Sequence, residues 1–106
     1  MDSLQGFQKR FLRGLAHSLK PVVFVGHKGF SRSLADAMDE ALDRHELVKV
    51  KFVEFKEKER KLALTEQIEK AVACEMIGLV GHMVTFFRQQ NDPEKRKIDL
   101  PKRAAG

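Results

Sequence analysis

The segment from Val22 to Ser31 constrains the fold more than any other part of the chain. Val22–Val25 is an unbroken run of β-forming apolar residues, typical of a strand that is covered on both faces or lies centrally in a sheet. The next four residues, Gly-His-Lys-Gly at 26–29, favour a sharp chain reversal because glycine tolerates positive φ. Ser31 is a suitable N-cap for a helix that runs to about His45. The sequence therefore predicts a strand–turn–helix unit.

Apolar spacing predicts a helix before this unit and a strand after it. Steps of three and four residues over Leu4–Leu19 predict an amphipathic helix that ends before Pro21. Its expected buried stripe consists of Leu4, Phe7, Phe11, Leu12, Leu15 and Leu19. Leu47–Val53 predicts a strand with one buried face. One side of this strand carries only apolar residues, whereas the other mixes apolar residues with two lysines.

The second half of the chain predicts one more helix and two more strands. Phe55–Lys61 is dense in charge and is expected to be a loop or a frayed helix start. A third helix is marked by Leu64, Ile68, Ala71 and Val72. Met76–Val80 and Met83–Arg88 predict strands joined by a type II′ turn at Gly81-His82. The order, a helix followed by βαβαββ, predicts an α/β (α+β) fold in two layers with a four-stranded mixed sheet.

Length and composition are those of one small globular domain. The chain has 106 residues, of which 42% are hydrophobic and 33% charged, too apolar a balance for a disordered chain. We expect a domain over residues 1–90 and a basic, flexible tail over residues 91–106. The single Cys74, the lack of a long apolar run and the polar start predict a monomeric cytoplasmic protein without a membrane span or secretory signal.

Positive charge is concentrated near the beginning of the chain. The net charge is +5, but residues 3–35 contain six lysines and arginines and no acid. On the first helix, the side opposite the apolar stripe carries Lys9, Arg10, Arg13, His17 and Lys20. Solvated helix faces usually mix both signs of charge, so an acid-free face favours a nucleic-acid contact about as much as plain solvation. The second helix, in contrast, carries Asp36, Asp39, Glu40 and Asp43 on its outer face.

The turn at residues 26–29 is the second candidate contact. Gly26 and Gly29 allow a phosphate backbone to approach closely, while His27, Lys28 and Arg32 supply cations beside a helix N-terminus. KH domains clamp nucleic acid with a loop of this Gly-x-x-Gly type. The motif alone is weak, since two glycines three apart are common in plain turns, and the longer dinucleotide and P-loop fingerprints are missing.

Four further residues are weaker candidates, and no chemistry of catalysis or metal binding is apparent. Possible RNA contacts are Phe30, Lys49, Lys51 and Arg88. Phe30 could equally pack beneath the loop. The two lysines could extend the contact surface, or they could simply lay their alkyl chains along a sheet edge with the charges in solvent. No histidines, cysteines or carboxylates have metal-ligand or acid–base spacing, so we expect no enzyme activity, metal, cofactor or small-molecule substrate.

Several blocks of sequence together resemble the YhbY-type CRM (chloroplast RNA splicing and ribosome maturation) domain. They are residues 14–23, the loop 26–29, residues 41–51, and the ending from Val80-Gly81-His82 to Phe86-Phe87-Arg88. The resemblance implies a fold similar to the C-terminal domain of translation initiation factor three. It also implies RNA binding through the Gly-x-x-Gly loop and an association with large-subunit ribosome precursors. Ala73 departs from the pattern, which commonly has glycine there, so the turn after the third helix is open.

The sequence thus predicts a protein of ribosome assembly that contacts large-subunit ribosomal RNA or its precursor. The loop 26–29, Arg32 and the basic first helix are the expected contacts. The alternatives are a general or splicing-type RNA-binding module, and a protein-interaction module that docks on an acidic partner.

Overall fold

A computed structural model describes residues 3–54 and 57–102, and within them the predicted order of elements is confirmed. The helices are α1 (Gly6–Ala16), α2 (Arg32–His45) and α3 (Lys58–Val72), and a short 3-10 turn follows at Pro93–Lys95. The strands are β1 (Val23–Val25), β2 (Leu47–Phe52), β3 (Glu75–Val80) and β4 (Met83–Phe87). Together they form a four-stranded mixed sheet in the order β1-β2-β4-β3. β1 is thus an edge strand with Phe24 exposed, so the prediction of a central or doubly covered strand is wrong.

The sheet combines one parallel and two antiparallel pairs. β1 runs parallel to β2, whereas β4 runs antiparallel to both β2 and β3. Gly81 has a φ of +59° and His82 a negative φ, as the predicted type II′ turn requires. The amide of Phe52 donates to the carbonyl of His82 at 2.8 Å. The β3–β4 turn therefore lies at the end of the sheet where β1 and β2 finish.

α2 and α3 cover one face of the sheet and enclose the main core. Their buried side chains are Leu34, Met38, Leu42, Leu64, Ile68 and Val72. They pack against alternate residues of the strands, such as Val48, Val50 and Phe52 of β2. Because side chains alternate along a strand, the same β2 turns Lys49 and Lys51 to the opposite face.

α1 covers only part of the opposite face, and the stripe that it buries differs from the predicted one. Leu12 and Ala16 are buried against Leu47, Ile77 and Phe87. The residues on its outer side, in contrast, are exposed at Phe11 (39%), Leu15 (40%) and Leu19 (38%). The apolar stripe of α1 is wider than the strip of sheet available to it, so the helix buries one side of the stripe and leaves the other in solvent.

The end of α1 and the start of α3 also differ from the sequence prediction. α1 ends at Ala16 rather than Leu19, because the chain must turn before the amide of Val22 donates to the carbonyl of Lys49 at 3.0 Å. α3 begins at Lys58, within the segment Phe55–Lys61 expected to be a loop or frayed start. Residues 55 and 56 of that segment lie outside the described residues.

The residues after β4 lie against the domain, in contrast to the flexible tail expected from the sequence. The fully buried carboxylate of Glu46 accepts the backbone amides of Gln90, Lys97 and Ile98 at 2.7–2.9 Å. Ile98 and Leu100 pack on the α1 cluster. The tail is therefore fixed as far as its described residues extend, while the boundary between domain and tail stays a prediction.

Candidate nucleic-acid interface

The Gly-x-x-Gly turn lies between the end of β1 and the start of α2. The amide of Gly29 donates to the carbonyl of Gly26 at 3.1 Å, which closes a four-residue turn. Gly29 has a φ of +66°, a conformation that a residue with a Cβ adopts only with strain. The hydroxyl of Ser31 accepts the amide of Leu34 at 3.1 Å and caps α2, as predicted. The turn is thus held in place at both ends.

Gly26 is not required by the geometry of the turn itself. A Cβ at this position would meet nothing within 4 Å, and its φ lies outside the left-handed region. The space over the Gly26 backbone is therefore open to solvent. An approaching phosphate would occupy this space, and a methyl group there would obstruct it.

The cations of the turn are exposed and available. His27, Lys28 and Arg32 are all exposed, and their side chains have no hydrogen bond or ion pair with any residue that the structure describes. They surround the N-terminus of α2, where unpaired amides and the helix dipole favour an anion. This arrangement suits a phosphate group.

The basic residues predicted on the first helix divide into two groups. Lys9 forms an ion pair with Glu75 at 3.1 Å, and Arg13 donates to the carbonyl of Ile77 at 3.0 Å, so both lie along β3. Gly78 makes room for this arginine, because a Cβ there would lie 3.2 Å from its Cδ. The remaining three, Arg10, His17 and Lys20, are exposed, and their side chains have no partner in the described residues.

Lys49 and Lys51 of β2 connect α1 to the Gly-x-x-Gly turn. Lys49 lies between Lys20 and His17, since it lines the clefts on which both of those residues border. Lys51 is exposed and pairs in register with Phe24, two residues before the turn. The predicted cations from α1 to the turn therefore share one side of the sheet.

Two of the weaker candidates are engaged elsewhere in the fold. Phe30 is partly buried and packs against the main core beneath the turn. Arg88 lies on the α2–α3 side, where its guanidinium donates to the Asp39 carboxylate at 2.6 Å and to the Val72 carbonyl at 2.9 Å. Neither side chain belongs to the exposed cationic surface.

Lys61 is a cation near this surface that the sequence did not single out. It is buried, donates to the carbonyl of Gly81 at 2.8 Å and lies 3.1 Å from Nδ1 of His82. It thereby supports the β3–β4 turn, at the same sheet edge as the Gly-x-x-Gly turn. Its spacing of three and seven residues from Leu64 and Ile68 was the available signal, because that spacing places it on the buried side of α3.

The acidic residues of α2 lie on the far side of the molecule. Asp39 is paired with Arg88, Glu40 with Arg44 at 3.3 Å, and the Asp43 carboxylate accepts the Gln90 amide at 2.6 Å. Three of the four acids of α2 therefore have internal partners, whereas Asp36 is exposed and has none among the described residues. The α1 side, in contrast, presents mostly unpaired cations.

The described residues show no arrangement for metal binding, thiol chemistry or membrane insertion. Residues 3–54 and 57–102 contain no cluster of three histidines, cysteines or carboxylates that could hold a metal ion. Burial raises the pKa of the Cys74 thiol to about 12, which keeps it protonated and unreactive near neutral pH. None of the helices in these ranges combines the length and the apolarity that a bilayer crossing needs.

Known proteins share the sequence pattern and the fold of this chain. Residues 4–88 match the CRS1/YhbY (CRM) domain. The chain is 35% identical over 103 residues to an RNA-binding protein of Haemophilus influenzae, covering 97% of this chain and all of that one. It is 37% identical over 101 residues to a probable RNA-binding protein of Methanocaldococcus jannaschii, covering 94% of this chain and 75% of that one.

A solved structure has the same fold. The solution structure of a hypothetical protein from Staphylococcus aureus superimposes with a TM-score of 0.78 at 29% identity, over 93% of this chain and all of that chain. The predicted resemblance is confirmed by these matches. The chain belongs to the CRS1/YhbY (CRM) domain family and is an RNA-binding domain rather than an enzyme.

Proposed function

We propose that the protein acts in ribosome assembly by binding large-subunit ribosomal RNA or its precursor through the turn 26–29 and the cations beside it. The observation that carries this proposal is a set of exposed or half-exposed cations without an internal partner, on the α1 side of the sheet and at the turn that leads into α2. They are Arg10, His17, Lys20, His27, Lys28, Arg32, Lys49 and Lys51.

The geometry favours binding through the phosphate backbone. Gly26 offers open backbone for a close approach, and His27 and Lys28 flank the approaching phosphate. Lys20, Lys49 and His17 continue the cationic surface toward α1. Contacts of this kind position a folded RNA on the protein, and base contacts are needed in addition to read a sequence.

The salt dependence of binding to a 20-nucleotide RNA hairpin tests the phosphate contacts. Replacing one contacting lysine reduces the slope of log K against log salt by about one unit. We expect this reduction for Lys28→Ala. The matched control is Arg44→Ala, which removes the same charge from the outer side of α2 and should leave the slope unchanged. Equal slopes for wild type and Lys28→Ala would contradict the contact.

Gly26→Ala tests the close approach of the RNA backbone without removing a charge. Because nothing lies within 4 Å of the added Cβ, the variant should unfold at the wild-type denaturant concentration but bind the hairpin less tightly. Gly6→Ala, at the start of α1, is the matched control, as its Cβ also meets nothing within 4 Å. Wild-type affinity in Gly26→Ala would mean that the RNA does not pass over this turn.

The ribosomal role rests on the family resemblance and needs its own experiment. Crosslinking in cells, followed by sequencing of the attached RNA, should show enrichment at one region of large-subunit ribosomal RNA. Enrichment at introns would instead assign the chain to the splicing type, and uniform scatter would leave only general RNA affinity.

The exposed side of α1 favours a second candidate function, docking on a protein. Phe11 and Leu15 on α1, and Leu19 just after it, are exposed apolar side chains. Arg10 on the same helix and Lys20 next to Leu19 are exposed cations that would suit an acidic partner. A partner that survives RNase treatment and is lost in Leu15→Ser but retained in Lys28→Ala would establish this function.

A further inference from the structure

The end of the sheet next to the Gly-x-x-Gly turn is not covered by α1 on its α1-facing side. Strand register places Phe24, Lys51, Met83 and Val80 side by side in one row across all four strands. Phe24 is 59% exposed and Val80 78% exposed. At about 4.8 Å per strand, this row forms a shelf roughly 14 Å wide.

Packing within the domain does not explain why a phenylalanine lies on this shelf. Phe24 is the central residue of β1, and its neighbours Val23 and Val25 point into the main core. Its own ring points away from that core, beyond the part of the sheet that α1 covers. An exposed phenylalanine in mid-strand contributes little to folding, and aromatic side chains in such positions commonly stack on bases.

The surroundings of the ring are cationic. On the α1-facing side, the exposed or half-exposed residues of the strands and their ends around Phe24 are Val22, Lys49, Lys51, Val53, Gly78, Val80 and Met83. Glu75, an acid on the same side, is paired with Lys9 at the other end of β3. A cleft of about 410 Å³ adjoins the shelf, lined by Arg13 and His17 of α1 and by Lys49 and Met83 of the sheet. A ligand here would combine an apolar ring with negative charge, which is the chemistry of a nucleotide.

The shelf is also close to the turn proposed to hold the RNA backbone. Only Val25 separates Phe24 from Gly26, and the amide of Val53 donates to the carbonyl of Val25 at 2.9 Å. A strand of RNA whose phosphates lie on the turn therefore has its next nucleotide within reach of the ring.

We propose that this shelf binds an unpaired nucleotide, with its base stacked on Phe24 and its phosphate near Lys51. The inference rests on the proposed function and names its substrate class: RNA in which a helix is interrupted by a bulge or an unpaired residue. An uninterrupted duplex keeps its bases stacked inside the helix and cannot supply one to the ring.

Two RNA hairpins of the same stem sequence, one with a single bulged adenine, test the shelf by fluorescence anisotropy. Stacking of one base contributes a factor of about 5 to 150 in affinity, so wild type should bind the bulged hairpin tighter by that factor. Phe24→Ala should bind both hairpins equally. Phe11→Ala, an equally simple truncation on the exposed side of α1, should keep the preference.

A direct readout of stacking is available because the chain contains no tryptophan. Phe24→Trp introduces a single indole, whose fluorescence the bulged hairpin should quench strongly and the plain hairpin weakly. Phe11→Trp should show no such difference. Preference for the bulged hairpin that persists in Phe24→Ala would overturn the inference, and so would equal quenching of Phe24→Trp by the two hairpins.

Failure of the shelf and failure of the proposed function give different results. If wild type binds both hairpins equally and Lys28→Ala weakens both, the phosphate contacts stand and the shelf is wrong. If Lys28→Ala leaves the affinity and salt slope for both hairpins unchanged, the proposed contact at the turn is wrong.

Discussion

The two faces of the sheet are built from the same strands but are covered by helices to different extents. The face under α2 and α3 receives Val48, Val50 and Phe52 of β2 and is closed by two helices. The other face receives Lys49 and Lys51 of the same strand and is covered by α1 over only part of its area. Strict alternation along β2 thus divides the strand into a core side and a surface side.

The faces differ in how they use charge as well as in how they are covered. On the α2–α3 side, the exposed acids of α2 are largely paired with neighbouring cations or amides. On the α1 side, most cations have no partner among the described residues. A domain of this size can leave one face partly uncovered because the other, closed face already encloses a continuous core.

Side-chain truncations on the two sides of α1 should give the largest difference in the free energy of unfolding. They test which side of this helix packs on the sheet. Leu12→Ala removes a side chain with no exposure and should lower the free energy of unfolding by about 3 kcal/mol. Leu15→Ala, one turn along, removes a side chain that is 40% exposed and should cost about 0.5 kcal/mol. Urea unfolding measures both values. Similar losses would mean that α1 buries the stripe expected from its sequence instead.

Removing the Glu46 carboxylate should separate the tail from the α1 face. Glu46→Ala leaves three backbone amides without their acceptor, which should lower the free energy of unfolding by about 2 kcal/mol. Hydrogen exchange should become faster at Gln90, Lys97 and Ile98. Glu66→Ala, at an exposed position of α3, serves as the control and should change neither measurement. Unchanged protection of these amides in Glu46→Ala would contradict the anchoring.

Ala73→Gly should stabilise the α2–α3 side by a smaller amount. Ala73 ends α3 with a φ of +50°, a left-handed conformation that costs a residue with a Cβ about 1 kcal/mol. Glycine should recover about that amount, seen as a higher denaturant midpoint. Ala71→Gly, inside α3, should lower the stability by about 1 kcal/mol. A loss of stability in Ala73→Gly would show that the left-handed turn is not strained.

Local patterns predicted the elements because each pattern has one strong physical cause. Ser31 caps α2 through its hydroxyl, and Gly81 takes the positive φ of the hairpin turn. The left-handed conformation of Ala73 could not be predicted from the sequence. A residue other than glycine adopts this conformation only when the path of the chain, here into β3, requires it.

Tertiary packing decided what the patterns left open. The apolar residues of α1 cover more than half of its circumference, so sequence alone could not tell whether Leu12 or Leu15 would be buried. Lys9 and Arg13 looked equivalent to Arg10 and His17, but the position of β3 engages the first two in internal contacts. Glu46 carried no signal, since its three amide donors come from residues more than 40 positions later.

The docking of the tail has a practical consequence for labelling the protein. Gln8 of α1 donates to the carbonyl of Pro101 at 3.3 Å, and Leu4 shares a cluster with Leu100, so the first and last described residues meet at one end of the molecule. The amide of Leu4 also donates to Glu75, at the end of β3 opposite the β3–β4 turn. A fluorophore or surface tether attached near either end should therefore leave the Gly-x-x-Gly turn and the shelf accessible to RNA.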